Sequence, residues 1–274
     1  MLKNSISSQG ANEAVLSAVV NHAQGLNKEC VTIFEVGSGK GALAKALCER
    51  LDALNIKYEM QCSDIEPHQI NDQNLDFSCK YINAQEPFEL DKKYDIGIAV
   101  EIIEHIENPF HLIREFAKNL QPDALFVVTS PNTLSLSSRF RYFMSGTYDY
   151  FRRPYNEYWL NMGHVNPINP LQLIYILRKN GFEIEQAITN KSTLNSLLLL
   201  PLVPFIYLYS FFHYILRENR EGGKEQKQRN RKTLRTLMSP GMLTGKIAIY
   251  QAKRTRDIVA ENEIWFQSDK NFNP

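Results

Sequence analysis

Glu101-Ile102-Ile103-Glu104-His105 places two carboxylates and an imidazole within five residues. Spacings of three and four put their side chains on one face if the segment turns helically. Hard carboxylate oxygens plus an imidazole make a ligand set for a divalent cation. His164, in Gly163-His164-Val165-Asn166-Pro167, offers a fourth donor much later in the chain. The same residues also support metal-free readings. His105 near its ordinary pKa is a general base, Glu104 is an acid facing a helix N-terminus, and His164 is a loop residue touching substrate.

A second cluster sits at Val31-Thr32-Ile33-Phe34-Glu35-Val36-Gly37-Ser38-Gly39-Lys40-Gly41. A β-branched run ends in an acid and a glycine-rich bend, and Leu43, Leu47 and Leu51 then recur at helical spacing. This is a strand–turn–helix unit of a doubly wound sheet, whose ligands bind where the strands end. Glycines there let the chain turn sharply and let a ligand lie on bare backbone. Gly37, Gly39 and Ala42 also satisfy the dinucleotide pattern G-x-G-x-x-G/A, so a dehydrogenase reading competes.

The elements that must position these residues follow from periodicity. Asn12–Ala23 reads as a helix over the first strand. Tyr58–Asp64 reads as a second strand, and Asp64 ends it about 20 residues past the bend, where a carboxylate accepts ribose hydroxyls. Phe77–Ile82, Tyr94–Val100, Ala124–Thr129 and Phe182–Thr189 read as further strands. Asn108-Pro109 and Asn169-Pro170 open helices, the second stopped by Gly181.

The series strand, E-x-x-E-H, N-P, helix, Q-P-D, strand, S-P-N between Tyr94 and Asn132 resembles the ubiquinone-type O-methyltransferases and their relatives. Q-P-D stands where those enzymes usually carry K-P-G-G. Dehydrogenases do not show this order. The G-x-G-x-G bend with Glu35 two residues ahead is similar to motif I of class I S-adenosylmethionine (SAM) methyltransferases. The resemblance covers Val31 to Thr189, with Lys246–Ala252 as a last strand. It implies a seven-stranded, doubly wound, Rossmann-like α/β sheet with an insertion before that strand.

The resemblance also implies site roles. Glu35 and the bend residues Gly37, Ser38, Gly39 and Gly41 meet the methionine portion of SAM. Asp64 holds its ribose, Ile65 flanks the adenine, Asn83 meets the adenine amine, and Ala84 next to it belongs to the cofactor-binding set. Asn83 also reads as a turn residue at a strand end. In the small-RNA 3′-terminal 2′-O-methyltransferases an E-x-x-E-H motif and a later histidine hold Mg²⁺. Carried over, the ligands are Glu101, Glu104, His105 and His164, with Glu104, His105 and His164 as the catalytic set. A metal would lower the pKa of a bound hydroxyl. Without one, His105 assists transfer as a base.

Between Ser137 and Tyr158 aromatics alternate with arginines, among them Arg139, Phe140, Arg141, Tyr155 and Tyr158. Such a mixture suits a ring, a sugar face or a phosphate, or forms a packed lid with solvated arginines. Leu197 to Leu216 contains no Asp, Glu, Lys or Arg, and the following segment to Arg235 is basic. One membrane crossing would strand the last strand across the bilayer, and Pro201 and Pro204 interrupt a long helix. A shallow interfacial hairpin, a dimer contact or a roof over a hydrophobic substrate remain. An apolar anchor with a basic flank is the pattern of peripheral binding to anionic lipid.

The organisation expected is a core over 1–193, an apolar and basic insertion over 194–244, and a last strand with a polar tail over 245–274, where Ile264-Trp265-Phe266 could dock. A formal charge of +1 argues against a dedicated nucleic-acid binder. The four cysteines lack C-x-x-C spacing and read as reduced thiols of a cytoplasmic protein. Met1–Gly10 is polar, unlike a signal peptide. The expectation is a SAM-dependent O-methyltransferase, monomeric or homodimeric, using SAM with or without a divalent cation. Its acceptor is lipophilic or lipid-linked, a quinone precursor or a glycan on a lipid carrier. The glycan option draws on similarity to methyltransferases of bacterial polysaccharide pathways. The alternatives are a soluble small-molecule methyltransferase and a non-catalytic SAM-binding module.

Overall fold

A computed structural model describes residues 9–67, 77–151, 163–217 and 223–255. Seven strands form one sheet in the order β3-β2-β1-β4-β5-β7-β6. They are β1 (Val31–Val36), β2 (Tyr58–Asp64), β3 (Phe77–Tyr81), β4 (Tyr94–Ala99), β5 (Leu120–Pro131), β6 (Phe182–Thr189) and β7 (Ile247–Arg254). β1 to β5 run parallel, and β7 is antiparallel to both its neighbours.

Strand alternation divides the core between the two sheet faces. Ile33, Leu125, Val127 and Ile249 pack on one side with Val15, Leu16 and Val19 of α1 (Gln9–Gly25) and Leu47 and Leu51 of α2 (Ala42–Ala53). Phe34, Phe126, Val128 and Tyr250 pack on the other with Phe116 of α3 (Pro109–Asn119). Leu173 and Leu177 of α5 (Pro170–Lys179), which follows α4 (Leu136–Ser145), close that face. Adjacent residues such as Ile33 and Phe34 thus serve opposite layers. Near-continuous apolar strands follow from burial on both faces.

β5 is longer than the expected Ala124–Thr129. Leu120 pairs with Tyr94, and pairing resumes only at Leu125 with Ile96. Gln121-Pro122-Asp123 fills the irregularity, with Asp123 at φ +65. The Q-P-D sequence is therefore a bulge at the entry of the strand, where proline costs no ladder bond.

The insertion between β6 and β7 is built of short pieces. They are α6 (Leu194–Leu198), a 3-10 turn at Leu200–Leu202, α7 (Val203–Phe211), a π turn at Phe212–Arg217, α8 (Lys224–Leu237) and α9 (Pro240–Thr244). Pro201 and Pro204 each lie in the first turn of a new piece, as their missing N–H dictates. The neck is pinned by a Ser192–Gly245 bridge and by the Thr193 N–H donating to Thr244 O at 2.9 Å. No helix among the described residues is long and apolar enough to cross a membrane. Arg152, Arg153, Tyr155 and Tyr158 of the expected lid, and Ile264-Trp265-Phe266 of the tail, lie outside the described residues.

Asn132, the last residue of the S-P-N motif, joins β5 to that neck. Its Nδ2 donates to Met242 O and Gly245 O, each at 2.9 Å, its Oδ1 accepts from Leu134 N at 3.1 Å, and the residue is buried. Asn132→Ala would leave two buried carbonyls without a donor. We expect a loss of about 2–4 kcal/mol, read as a lowered urea midpoint with unchanged slope.

Candidate active site

The sheet order reverses between β1 and β4, and the loops leaving these two strands form the site. After β1 the chain turns through Gly37, Gly39 and Gly41 at φ +76, +51 and +73. These values lie in the left-handed region that side chains with a Cβ avoid. A Cβ on Gly37 would stand 2.5 Å from Ile102 Cδ1, so the bend packs directly on the turn that carries Glu104 and His105. A Cβ on Gly39 would meet nothing within 4 Å. Its main chain faces open space, as a cradle for a ligand requires.

Asp64 organises this bend. Its Oδ2 accepts from Gly39 N at 2.7 Å and its Oδ1 from Glu66 N at 3.0 Å. Gly37 N and Ser38 N both donate to Ser63 O, at 2.8 and 3.1 Å. Each carboxylate oxygen keeps lone-pair capacity for a further donor. Ile65, beside it, is 60% exposed, an apolar side chain free to cover a flat ring. Asn83 lies at the same edge, since Ile82 N donates to Asp64 O. Its side chain is engaged in a local turn, accepting from Gln85 N at 3.1 Å and donating to Glu86 Oε1 at 2.9 Å. Ala84 is buried in the core next to it.

Glu35 is buried beneath the bend. The Cys62 thiol donates to its Oε2 at 3.7 Å. Burial pushes its carboxyl up to about 7, and the nearby Asp64 charge adds to the rise. A buried acid with so little compensation fits a positively charged ligand group.

Beyond β4 the chain turns sharply. Glu101 takes a left-handed φ of +49, fixed by its N–H donating to Thr129 Oγ1 at 2.8 Å. A 3-10 turn over Ile103–His105 follows. The loop containing His164 is laid onto it through Val165 N and Asn166 N, which donate to Glu104 O at 3.0 and 2.9 Å. The outcome is a cluster in which ligand atoms of Glu104, His105 and His164 lie within 4.8 Å of one another. Glu101, expected as a fourth ligand, does not join this group; the irregular backbone breaks the helical spacing that would align it. Its charge still contributes to the rise of the Glu104 carboxyl.

The cluster is dry. Glu104 is 1% exposed, and burial raises its carboxyl to about 8. Burial also lowers both imidazoles, His164 to about 4 with help from the adjacent His105. At neutral pH the three groups are therefore uncharged. His105 Nδ1 lies 3.0 Å from Gly163 O, which can only accept. The proton therefore sits on Nδ1, and Nε2 presents its lone pair. Glu104 Oε2 and His164 Nδ1 are buried with no hydrogen-bond partner among the described residues. Two orphaned donor atoms beside an imidazole lone pair fit a divalent cation, and equally fit a hydroxyl-bearing acceptor.

Two contributors escaped sequence reasoning. Ile102 reads as a spacer between two acids, and Gly163 acts only through its carbonyl. Neither role has a sequence signal, because each rests on a contact distant in the chain. Phe151, within the aromatic and arginine-rich segment, packs its ring 5.4 Å from that of His164.

Glu35 yields a pH prediction. Its pKa is higher folded than its ordinary 4.5, so the proton favours the folded chain. This contribution is complete below about pH 4.5 and is lost as pH rises through about 7. Relative to wild type, Glu35→Gln should therefore gain stability with rising pH. The gain should reach the order of 3 kcal/mol above pH 7, read from denaturation midpoints of the two proteins across pH.

Comparison with known proteins agrees with this architecture. Residues 10–187 match a family model described as a methyltransferase domain. A ubiquinone biosynthesis O-methyltransferase of Rickettsia typhi is 28% identical over 127 residues, 44% of this chain and 48% of the relative. Its counterpart in Rickettsia prowazekii is 26% identical over 122 residues, 44% and 47% of the two chains. The chain thus spans about half the length of the curated relatives it matches. An S-adenosylmethionine dependent methyltransferase from Mesorhizobium loti superposes at TM-score 0.51 and 11% identity, covering 93% of this chain and all of that one. The [4+2]-cyclase SpnF superposes at 0.50 and 15% identity, over 92% and 85%. The chain therefore belongs to the methyltransferase-domain family and has the class I, Rossmann-like SAM methyltransferase fold, in a form similar to the ubiquinone O-methyltransferases.

Proposed function

We propose that this protein transfers a methyl group from SAM to a hydroxyl oxygen of a lipophilic or lipid-linked acceptor, such as a quinone precursor or a glycan on a lipid carrier. The observation that carries the reading is the contact of Gly37 with Ile102. It sets the open main chain of Gly39 beside the turn that holds Glu104 and His105. The fold alone does not decide the reaction. Oxygen as the accepting atom draws support from the curated relatives, which are O-methyltransferases.

SAM, when bound, supplies a methyl group on a sulfonium that departs as a neutral thioether. The chain's own work is alignment and proton removal. Glu35 faces the ammonium of the methionine portion, Gly37 to Gly41 present backbone, Asp64 takes the ribose hydroxyls and Ile65 covers the adenine. Asn83 and Ala84 border the adenine end. His105, held by Gly163 O, keeps Nε2 unprotonated at neutral pH and removes the acceptor hydroxyl's proton. His164, braced by Phe151, orients the acceptor, and the buried surroundings exclude water.

A second reading uses a divalent cation held by Glu104, His105 and His164, favoured by the two orphaned donor atoms. The metal would acidify a bound hydroxyl. Equilibrium dialysis against Mg²⁺ and Mn²⁺ separates the readings: stoichiometric retention that Glu104→Gln abolishes supports the metal, and no retention with activity intact in EDTA rejects it.

The reaction is tested by mass spectrometry of lipid extracts incubated with the protein and isotope-labelled SAM. A labelled methyl ether on a lipid-soluble product is expected, and label appearing only on water-soluble or nitrogen acceptors overturns the assignment. Calorimetry should show SAM binding weakened about 100-fold or more by Asp64→Ala through loss of two charge-assisted hydrogen bonds. His105→Gln should lower kcat about 100-fold or more while SAM affinity stays unchanged.

A further inference from the structure

A helix that is apolar on every side belongs inside a core or a membrane. α7, VPFIYLYSF, carries no charged residue, yet none of its side chains is buried. Phe205, Leu208 and Tyr209 are 73%, 68% and 74% exposed. Leu198, Leu202, Phe212 and Leu216 extend the same exposed apolar run. Proteins dissolved in water seldom present such a surface without a partner.

The dimensions decide how a bilayer could receive it. Nine residues of helix span about 14 Å, against about 30 Å of hydrocarbon. The neck between β6 and β7 is pinned, so the chain leaves and returns at one edge of the sheet. α7 can therefore lie in the interface and cannot cross it.

The charge beside the patch identifies the lipid. α8 carries six Lys and Arg against one Glu. It seats against the π turn through Asn230 Nδ2, which donates to Tyr214 O at 3.4 Å. Lys224, Lys227, Arg231 and Arg235 are exposed on it. Tyr207, Tyr209 and Tyr214 supply rings with polar tips, the type that settles at headgroup depth. A twofold contact between two copies through this patch would bring two basic α8 helices to one interface, which like-charge repulsion opposes.

We infer that Leu194 to Leu216 and α8 form one docking surface for an anionic lipid bilayer, with α7 in the interfacial plane and α8 against the phosphates. A cleft of about 490 Å³ between α4 and α6 opens beside it, walled by Phe140, Met144, Leu198 and Leu199. Asp149 also lines this cleft, and two residues on, Phe151 packs on His164. That the cleft leads a membrane-borne acceptor to His105 rests on the proposed O-methyl transfer; the docking does not.

The test is flotation of the purified full chain with phosphatidylcholine vesicles, with and without about 30% phosphatidylglycerol. Wild type should float with the anionic vesicles and bind the neutral ones far more weakly. Phe205→Asp with Leu208→Asp should weaken binding about 100-fold or more. Lys227→Gln and Arg231→Gln should each cost about fivefold on anionic vesicles only. These four residues are exposed, and SAM binding by calorimetry should be unchanged in every variant. Wild type that floats with neither vesicle overturns the inference. So does a wild-type dimer that the Phe205→Asp, Leu208→Asp variant dissolves, because a second copy then covers the patch. Because flotation needs no turnover, a protein that docks yet methylates no lipid refutes the acceptor assignment alone.

Discussion

The approach of Gly37 to Ile102 is the constraint around which the site is organised. Two strands whose paired residues stand 63 apart in sequence, as Ile33 and Ile96 do, end side by side in the sheet, and their loops must share one small volume. Only a residue without a Cβ lets the first loop pass, and only a left-handed backbone lets it turn back into α2. The second loop meets the same crowding with Glu101 in the left-handed region, tied to Thr129. The strain at Glu101 is tolerated because the buried strands beneath it leave little freedom.

Burial without charge compensation is the common electrostatic theme. Glu35 and Glu104 sit in dry surroundings that favour their neutral acids, and His105 and His164 in surroundings that favour neutral imidazoles. Such environments cost stability in the free protein. They strengthen interactions with an incoming charge, because little water is left to screen it. The glycine bend and the turn that carries Glu104 and His105 thus lie side by side, joined where Gly37 meets Ile102.

The insertion follows another logic. The core packs around the sheet without α7, and the antiparallel β6–β7 pair is closed at the neck by the Ser192–Gly245 bridge. Asn132 couples that neck to the end of β5, close to the strand end that positions Glu101. The neck of the insertion is thus tied by hydrogen bonds to the strand that holds Glu101, while α7 buries no side chain.

Residues close in sequence determined much of this protein on their own. The glycine bend, the strand runs, the proline starts of α3 and α5 and the E-x-x-E-H turn are local patterns, and local backbone sterics and periodicity suffice to read them. The sheet of seven strands came through family resemblance in the order of these patterns. Only the tertiary structure decided what depends on contacts between distant segments. His164 joins Glu104 and His105 because its loop donates two backbone bonds to Glu104 O, and Glu101 is excluded because its backbone leaves helical geometry. The tautomer of His105 is set by a carbonyl 58 residues away. The apolar run reads the same whether buried or exposed, since hydrophobicity gives a cost of hydration and not an address; its exposure is settled by the sheet, which fills both faces without it.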